Sequence, residues 1–168
     1  MNATALIDQY GESHQNPTNK MIHWVCVPAI MFSTLGLLWS IPSAYLNMGA
    51  AEPWSAYMNW ASVAALLSLI FYFRMSFTVG VGMMVWASVL LWMCHMVEVM
   101  VPLALWQVSL AVFLVAWVFQ FIGHKIEGKK PSFLQDLFFL LVGPAWLLYA
   151  IYGVVGIPFV AVSPPSAR

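Results

Sequence analysis

Charge is what this chain has least of. Only 7% of its 168 residues are Asp, Glu, Lys or Arg, while 62% are hydrophobic; a soluble domain carries about 25% charged residues. An ordinary water-soluble globule is therefore excluded, and a membrane protein is expected. Six basic residues balance six acidic ones, so no basic field exists to neutralise a phosphate backbone, and nucleic acid is not an expected partner. Cysteine is also scarce. Cys26 and Cys94 fall at opposite ends of their expected spans, too far apart for a disulfide, whose Cα atoms lie within about 7 Å; both read as packing residues. No repeat of fixed period and no low-complexity segment is present.

What the chain has instead is long apolar stretches. A helical span needs about 20 mostly apolar residues, and residues 21–41, 57–73, 77–94 and 99–122 contain no formal charge. A fifth stretch, 133–152, holds only Asp136, and Gly143-Pro144 is expected to kink or break it. The apolar tail after Gly153 reads as an interfacial end or a sixth short span. The fold expected is all-α, a polytopic membrane helix bundle of five transmembrane helices, or six with the tail. It forms one integral domain over 1–168, with an N-terminal segment 1–16, a bundle 17–162 and a tail 163–168. Asp8, Glu12 and Lys20 precede the first apolar run, which lacks a small-residue cleavage site, so the first span is expected to be retained.

Orientation follows the basic residues. With a cytoplasmic N-terminus, Lys20, Arg74, Lys125, Lys129 and Lys130 fall on the cytoplasmic side and Arg168 alone on the other. Trp24 and Trp39 bracket the first span, about 22 Å apart at 1.5 Å per residue. Compact loops and the lack of a retention tail favour a bacterial inner membrane over an endoplasmic reticulum.

Two polar blocks interrupt this apolar chain. The first runs from Tyr10 through His14, Asn16-Pro17 and Asn19 to His23. Asn16 and Pro17 form an N-cap and N1 pair, so the first long helix is expected to start there. Asn19 and His23, four apart, share a face, and His14 reaches them only by folding back through the Asn16-Pro17 turn. The second block holds Gln120, Gly123, His124 and Glu127. With Gln120 at zero, His124 falls near about 40° and Glu127 near about 340°, one narrow stripe at the end of the fourth span. Gly123 leaves room for a close neighbour. Ser132 with Gln135 forms a capping box that opens the next helix.

Under the charge-bias topology both blocks lie at one membrane face. Three imidazoles (His14, His23, His124), the Glu127 carboxylate and the amides of Asn19 and Gln120 then come within reach of each other. Imidazole with carboxylate suits a divalent metal such as iron, zinc or manganese. Blander roles compete at each position: interfacial hydrogen bonding for His14 and His23, an i,i+3 pair for His124 with Glu127, the helix dipole for Asp136. The lysines serve first as orientation signals facing anionic lipid. His95 and Glu98 form another i,i+3 pair on the far side, and His95 becomes a fourth ligand only if its span is tilted or broken near Pro102.

The two blocks resemble the small membrane family of 2-hydroxy fatty acid dioxygenases, which shorten such acids by one carbon in alpha-oxidation. The first block matches at Tyr10, His14, Asn19, His23 and Pro28. The second matches at Gln120, Phe121, Ile122, Gly123, His124, Glu127, Gly128 and Pro131, with Gly143-Pro144 following. Two positions depart from the family pattern: Cys26 stands where glycine is usual, and no acid follows Gly143-Pro144, which leaves Asp136 to fill that supporting role. The resemblance implies Fe(2+), O2 and a membrane-dissolved 2-hydroxy fatty acid substrate, with His14, His23, His124 and, conditionally, His95 as ligands. Glu127 is then a catalytic or supporting carboxylate, Lys125 a candidate for the substrate carboxylate, and Tyr10, Asn19, Gln120 and Asp136 supporting residues. Two other classes stay open. Four histidines could hold b-type haem in an electron carrier, and a non-catalytic lipid-binding or scaffold protein would carry the same apolar spans.

Overall fold

The computed structural model describes residues 3–46, 51–128 and 133–158, the side chains of residue 3 and of 133–139 excepted. It is all-α, with helices α1 (Ala3–Glu12), α2 (Pro17–Trp39), α3 (Trp60–Met75), α4 (Phe77–Met100), α5 (Leu105–Glu127) and α6 (Phe133–Val155), and a short 3-10 turn at Trp54–Tyr57. Among the described residues, α2, α4 and α5 are long and apolar enough to cross a membrane. Each has 23 or 24 residues, roughly 35 Å at 1.5 Å per residue against a hydrocarbon core of about 30 Å. Helix α3 and the Leu140–Val155 part of α6 are apolar but shorter. Large apolar side chains face outward on every long element, among them Met21, Leu66, Val85 and Leu114. In water such a surface would aggregate; in lipid it is the solvated face.

Local chemistry sets the boundaries. Asn16 caps α2 by accepting the Thr18 N–H, with Pro17 at N1, where proline's missing N–H costs nothing. Asn59 caps α3 through the Ser62 N–H. Ser76 alone joins α3 to α4, so the two helices fold back on each other, and Ala61 meets Leu90 and Cys94 in one buried cluster. Gly128 ends α5 in the left-handed conformation, φ 73°, which glycine adopts without the Cβ penalty.

The central pair is α2 and α5, packed antiparallel. At one end Gly36 lies against Ser109, at the other Gly123 lies against Asn19, and a Cβ at either glycine would overlap its neighbour. These two glycines let the backbones approach closely at both ends of the interface.

Four expectations change. Residues 3–12 form a helix rather than a plain polar segment: Ile7 and Tyr10 are buried, and with His14 they recur on one helical face at i, i+3 and i+7. Helix α6 runs through Gly143-Pro144 without a break, its Val142 and Ala145 fully buried. Trp39 is buried and donates its Nε1–H to Glu98 Oε2 at 2.9 Å, so it ties α2 to α4 rather than sitting among headgroups. The apolar tail after Gly153 belongs to α6 as far as Val155 and turns at Gly156, φ 74°. Lys129, Lys130, Pro131, Ser132 and Arg168, and the side chains of Gln135 and Asp136, lie outside the described residues.

Candidate metal centre

His14, His23 and His124 meet. One ring nitrogen from each lies within 4.8 Å of the others, although the chain separates the first two from the third by about a hundred residues. Three elements bring them there. The turn between α1 and α2 carries His14, the first turns of α2 carry His23, and the last turn of α5 carries His124. His14 and His23 are almost fully buried, His124 partly so.

The hydrogen bonds settle which nitrogens face inward. His14 Nδ1 donates to Tyr10 O at 2.6 Å and His23 Nδ1 donates to Asn19 O at 2.9 Å; a carbonyl oxygen only accepts, so both protons sit on Nδ1. Each ring therefore turns its Nε2 toward the other, and the two Nε2 atoms are 2.9 Å apart, with Gln120 hydrogen-bonded to His23 beside them. Two ring nitrogens come this close when a proton or a metal ion is shared between them. Two imidazole nitrogens each about 2.1 Å from one metal ion lie about 3 Å apart, so the donor set fits a divalent ion with His14, His23 and His124 as its holders. The backbone bonds at Nδ1 are the kind of support that fixes tautomer and ring direction in metal sites.

Aromatic rings and amides close the back of the cluster. Tyr10 stacks on His14, centroids 4.2 Å apart and planes 15° from parallel. Trp146 of α6 stands 5.5 Å from Tyr10 and 5.7 Å from His14, and Gly143 gives the Tyr10 hydroxyl its space. Trp146 was not among the residues expected at the site; its spacing of three from Gly143, on one face of α6, was the available signal. Gln120 is buried beside His23.

Glu127 binds the chain around the cluster. Its Oε1 accepts the Gln15 N–H at 2.8 Å and its Oε2 accepts the Asn16 N–H at 3.0 Å and the Asn19 Nδ2–H at 3.0 Å. The carboxylate thus clamps the α1–α2 turn. Lys125 is exposed, on the side of α5 away from the cluster stripe. His95 lies elsewhere. Its ring contacts Trp39 at 6.2 Å and Tyr57 at 5.5 Å, and Trp39 is sixteen residues beyond His23, about 24 Å along α2. Because α4 continues as one helix to Met100, no tilt or break carries His95 to the other three.

Residues 2–155 match the family described as 2-hydroxy-palmitic acid dioxygenase Mpo1-like. The chain belongs to the Mpo1-like family. A curated relative, the 2-hydroxy-palmitic acid dioxygenase MPO1 of Saccharomyces cerevisiae, is 27% identical over 139 residues, 81% of this chain and 71% of the relative. No solved structure matches the chain. The Mpo1-like match spans every element that builds the histidine cluster, from α1 to Trp146 on α6.

Proposed function

We propose that this protein is an iron(II)-dependent dioxygenase that removes C1 from long-chain 2-hydroxy fatty acids, leaving a fatty acid one carbon shorter. The observation that carries the reading is the convergence of His14, His23 and His124, with one ring nitrogen of each within 4.8 Å of the others, in a chain of the Mpo1-like family. Three imidazole ligands would leave coordination positions open, the arrangement suited to non-haem iron chemistry with O2. Bound iron(II) would supply activation of O2 and a grip on the substrate's 2-hydroxyl and carboxylate.

The stoichiometry closes without another reductant. R–CH(OH)–COOH and O2 give R–COOH, CO2 and H2O: the C1–C2 bond breaks, the substrate loses four electrons, and O2 takes them all. The protein's own residues supply position. Tyr10 and Trp146 hold the His14 ring and shield it from water, and Asn19 fixes His23. Lys125, at the headgroup level, is the proposed counter-charge for a substrate carboxylate arriving from the lipid. The acyl chain partitions into the bilayer because each buried CH2 contributes about 0.8 kcal/mol. Asp136 stays a proposed supporting acid. The distribution of Lys and Arg supports a cytoplasmic position for this end of the bundle, with a bacterial inner membrane as the proposed host.

The test is turnover in lipid nanodiscs. Iron-loaded protein is expected to convert 2-hydroxypalmitate to the C15 acid and CO2 in equal amounts, and His23→Ala and His124→Ala to lose both iron and turnover. Stoichiometric iron in both variants, or no C15 acid from the iron-loaded wild type, would overturn the proposal.

A further inference from the structure

The bundle contains a cavity that the histidine cluster does not use. It lies between α2, α3, α4 and α6, partly open at the bundle surface, has a volume of about 170 Å³, and is walled by Met31, Leu38, Ala65, Tyr72, Met83 and Leu141 among others. Its walls are almost wholly apolar. An engineered apolar cavity of about 150 Å³ stays dry and binds benzene, so this one has room for roughly six carbons.

Its depth is set by α2. Met31 is eight residues beyond His23 and Leu38 fifteen, so the cavity runs from about 12 Å to about 22 Å below the level of His23. Leu141 brings the cavity toward the cluster, because it stands five residues before Trp146, which touches His14. An extended alkyl chain advances about 1.25 Å per carbon, given carbon–carbon bonds near 1.5 Å and near-tetrahedral angles. With C2 at the histidines, C11 of a sixteen-carbon acid lies about 11 Å down and C16 about 17 Å. The last six carbons thus fall at the cavity's depth, and six carbons are what its volume takes. Beside Leu38 the buried Ala61–Leu90–Cys94 cluster fills the space between the helices.

We infer that the cavity walled by Met31, Leu38, Ala65 and Met83 receives the distal carbons of the substrate's acyl chain while its 2-hydroxy acid end lies at the His14–His23–His124 cluster, making the cavity a chain-length ruler. This inference rests on the activity proposed above. It sets a limit: a straight chain reaches the cavity's far end near about twenty carbons, at 1.25 Å per carbon over about 22 Å.

Two measurements test it, one independent of turnover. A sixteen-carbon 2-hydroxy acid carrying a diazirine at C14 is irradiated with the protein in nanodiscs and the labelled peptides are mapped by mass spectrometry. Label is expected on Met31, Leu35, Leu38, Met83 and Ala87; label confined to the outward-facing Leu66, Val85 and Leu114 would overturn the cavity's role. In the second measurement, Ala65→Leu and Ala87→Leu fill the cavity. Each is expected to lower the ratio of kcat/KM for sixteen-carbon over ten-carbon 2-hydroxy acids about tenfold, what excluding two methylenes is worth. An unchanged ratio in both variants would overturn the ruler. The two readings fail separately: cavity labelling without a shortened acid from any chain length refutes the activity and keeps the alkyl site, whereas product formation with label elsewhere refutes the cavity.

Discussion

Glu127 and Asn16 are joined through both carboxylate oxygens, the Asn16 N–H lying 3.3 Å from Oε1 and 3.0 Å from Oε2. With the Gln15 N–H and the Asn19 amide on the same carboxylate, the last residue of α5 gathers the turn that bears His14 and the helix that bears His23 onto the helix that bears His124. A carboxylate can do this because it is an acceptor on both sides. Glu127→Gln puts an NH2 group against backbone N–H donors, and the turn is expected to lift. Metal affinity should fall about 10- to 100-fold, read by competition against a chelator, with helical content by circular dichroism retained. Unaltered affinity would remove the clamp from the site.

Gly123→Ala tests the close approach of α2 and α5. The new methyl overlaps Asn19 Oδ1, so the helices must part or Asn19 must turn, at a cost of about 1–3 kcal/mol. Because Asn19 also accepts His23 Nδ1–H and donates to Glu127, iron content should fall along with the unfolding temperature. Gly36→Ala creates a comparable overlap with Ser109 at the other end, and is expected to lower the unfolding temperature while iron affinity holds. Equal loss of iron in both would mean that only global packing is being read.

His95→Ala is expected to leave iron stoichiometry at the wild-type level, since His95 stacks against Trp39 and Tyr57 rather than facing the other imidazoles. His14→Ala should lose the ion. Metal analysis of the two purified variants decides, and loss of iron from His95→Ala would place it in the coordination sphere.

Tyr10 is tested by a pair of substitutions. Tyr10→Phe keeps the ring on His14 and should change iron affinity by less than about threefold, under about 0.7 kcal/mol. Tyr10→Ala removes a stacked partner worth about 0.5–1.5 kcal/mol together with a buried ring. It should weaken iron binding at least tenfold. Equal behaviour of the two variants would make the phenol oxygen, not the stack, the working part.

Much of this was legible from spacing and composition. Scarce charge and long apolar runs give a helical membrane bundle, and Asn16-Pro17 marks the start of α2 to the residue. The proximity of His14 to His23 follows from a turn that an N-cap and proline enforce. Other parts needed three dimensions. Glu127 looked like a partner for His124 because i,i+3 residues share a helix face, yet its hold on the N–H groups of a turn more than a hundred residues away could be seen only in the fold. Trp39 looked interfacial by position; it is buried against α4, with its indole N–H donated to the exposed Glu98. The α1 helix was readable in the i, i+3, i+7 spacing of Ile7, Tyr10 and His14, although its polar neighbours mask that face in a composition window.

The separation of the ligands along the chain orders events in biosynthesis. His14 and His23 leave the ribosome about a hundred residues ahead of His124, an interval of about 5–20 s at ordinary elongation rates. During that time α2 has no α5 to lie against, and two imidazoles alone make a poor trap. A metal ion held by all three histidines would therefore be acquired only by a polypeptide whose later helices have already entered the bilayer, which would make its loading a post-insertional step.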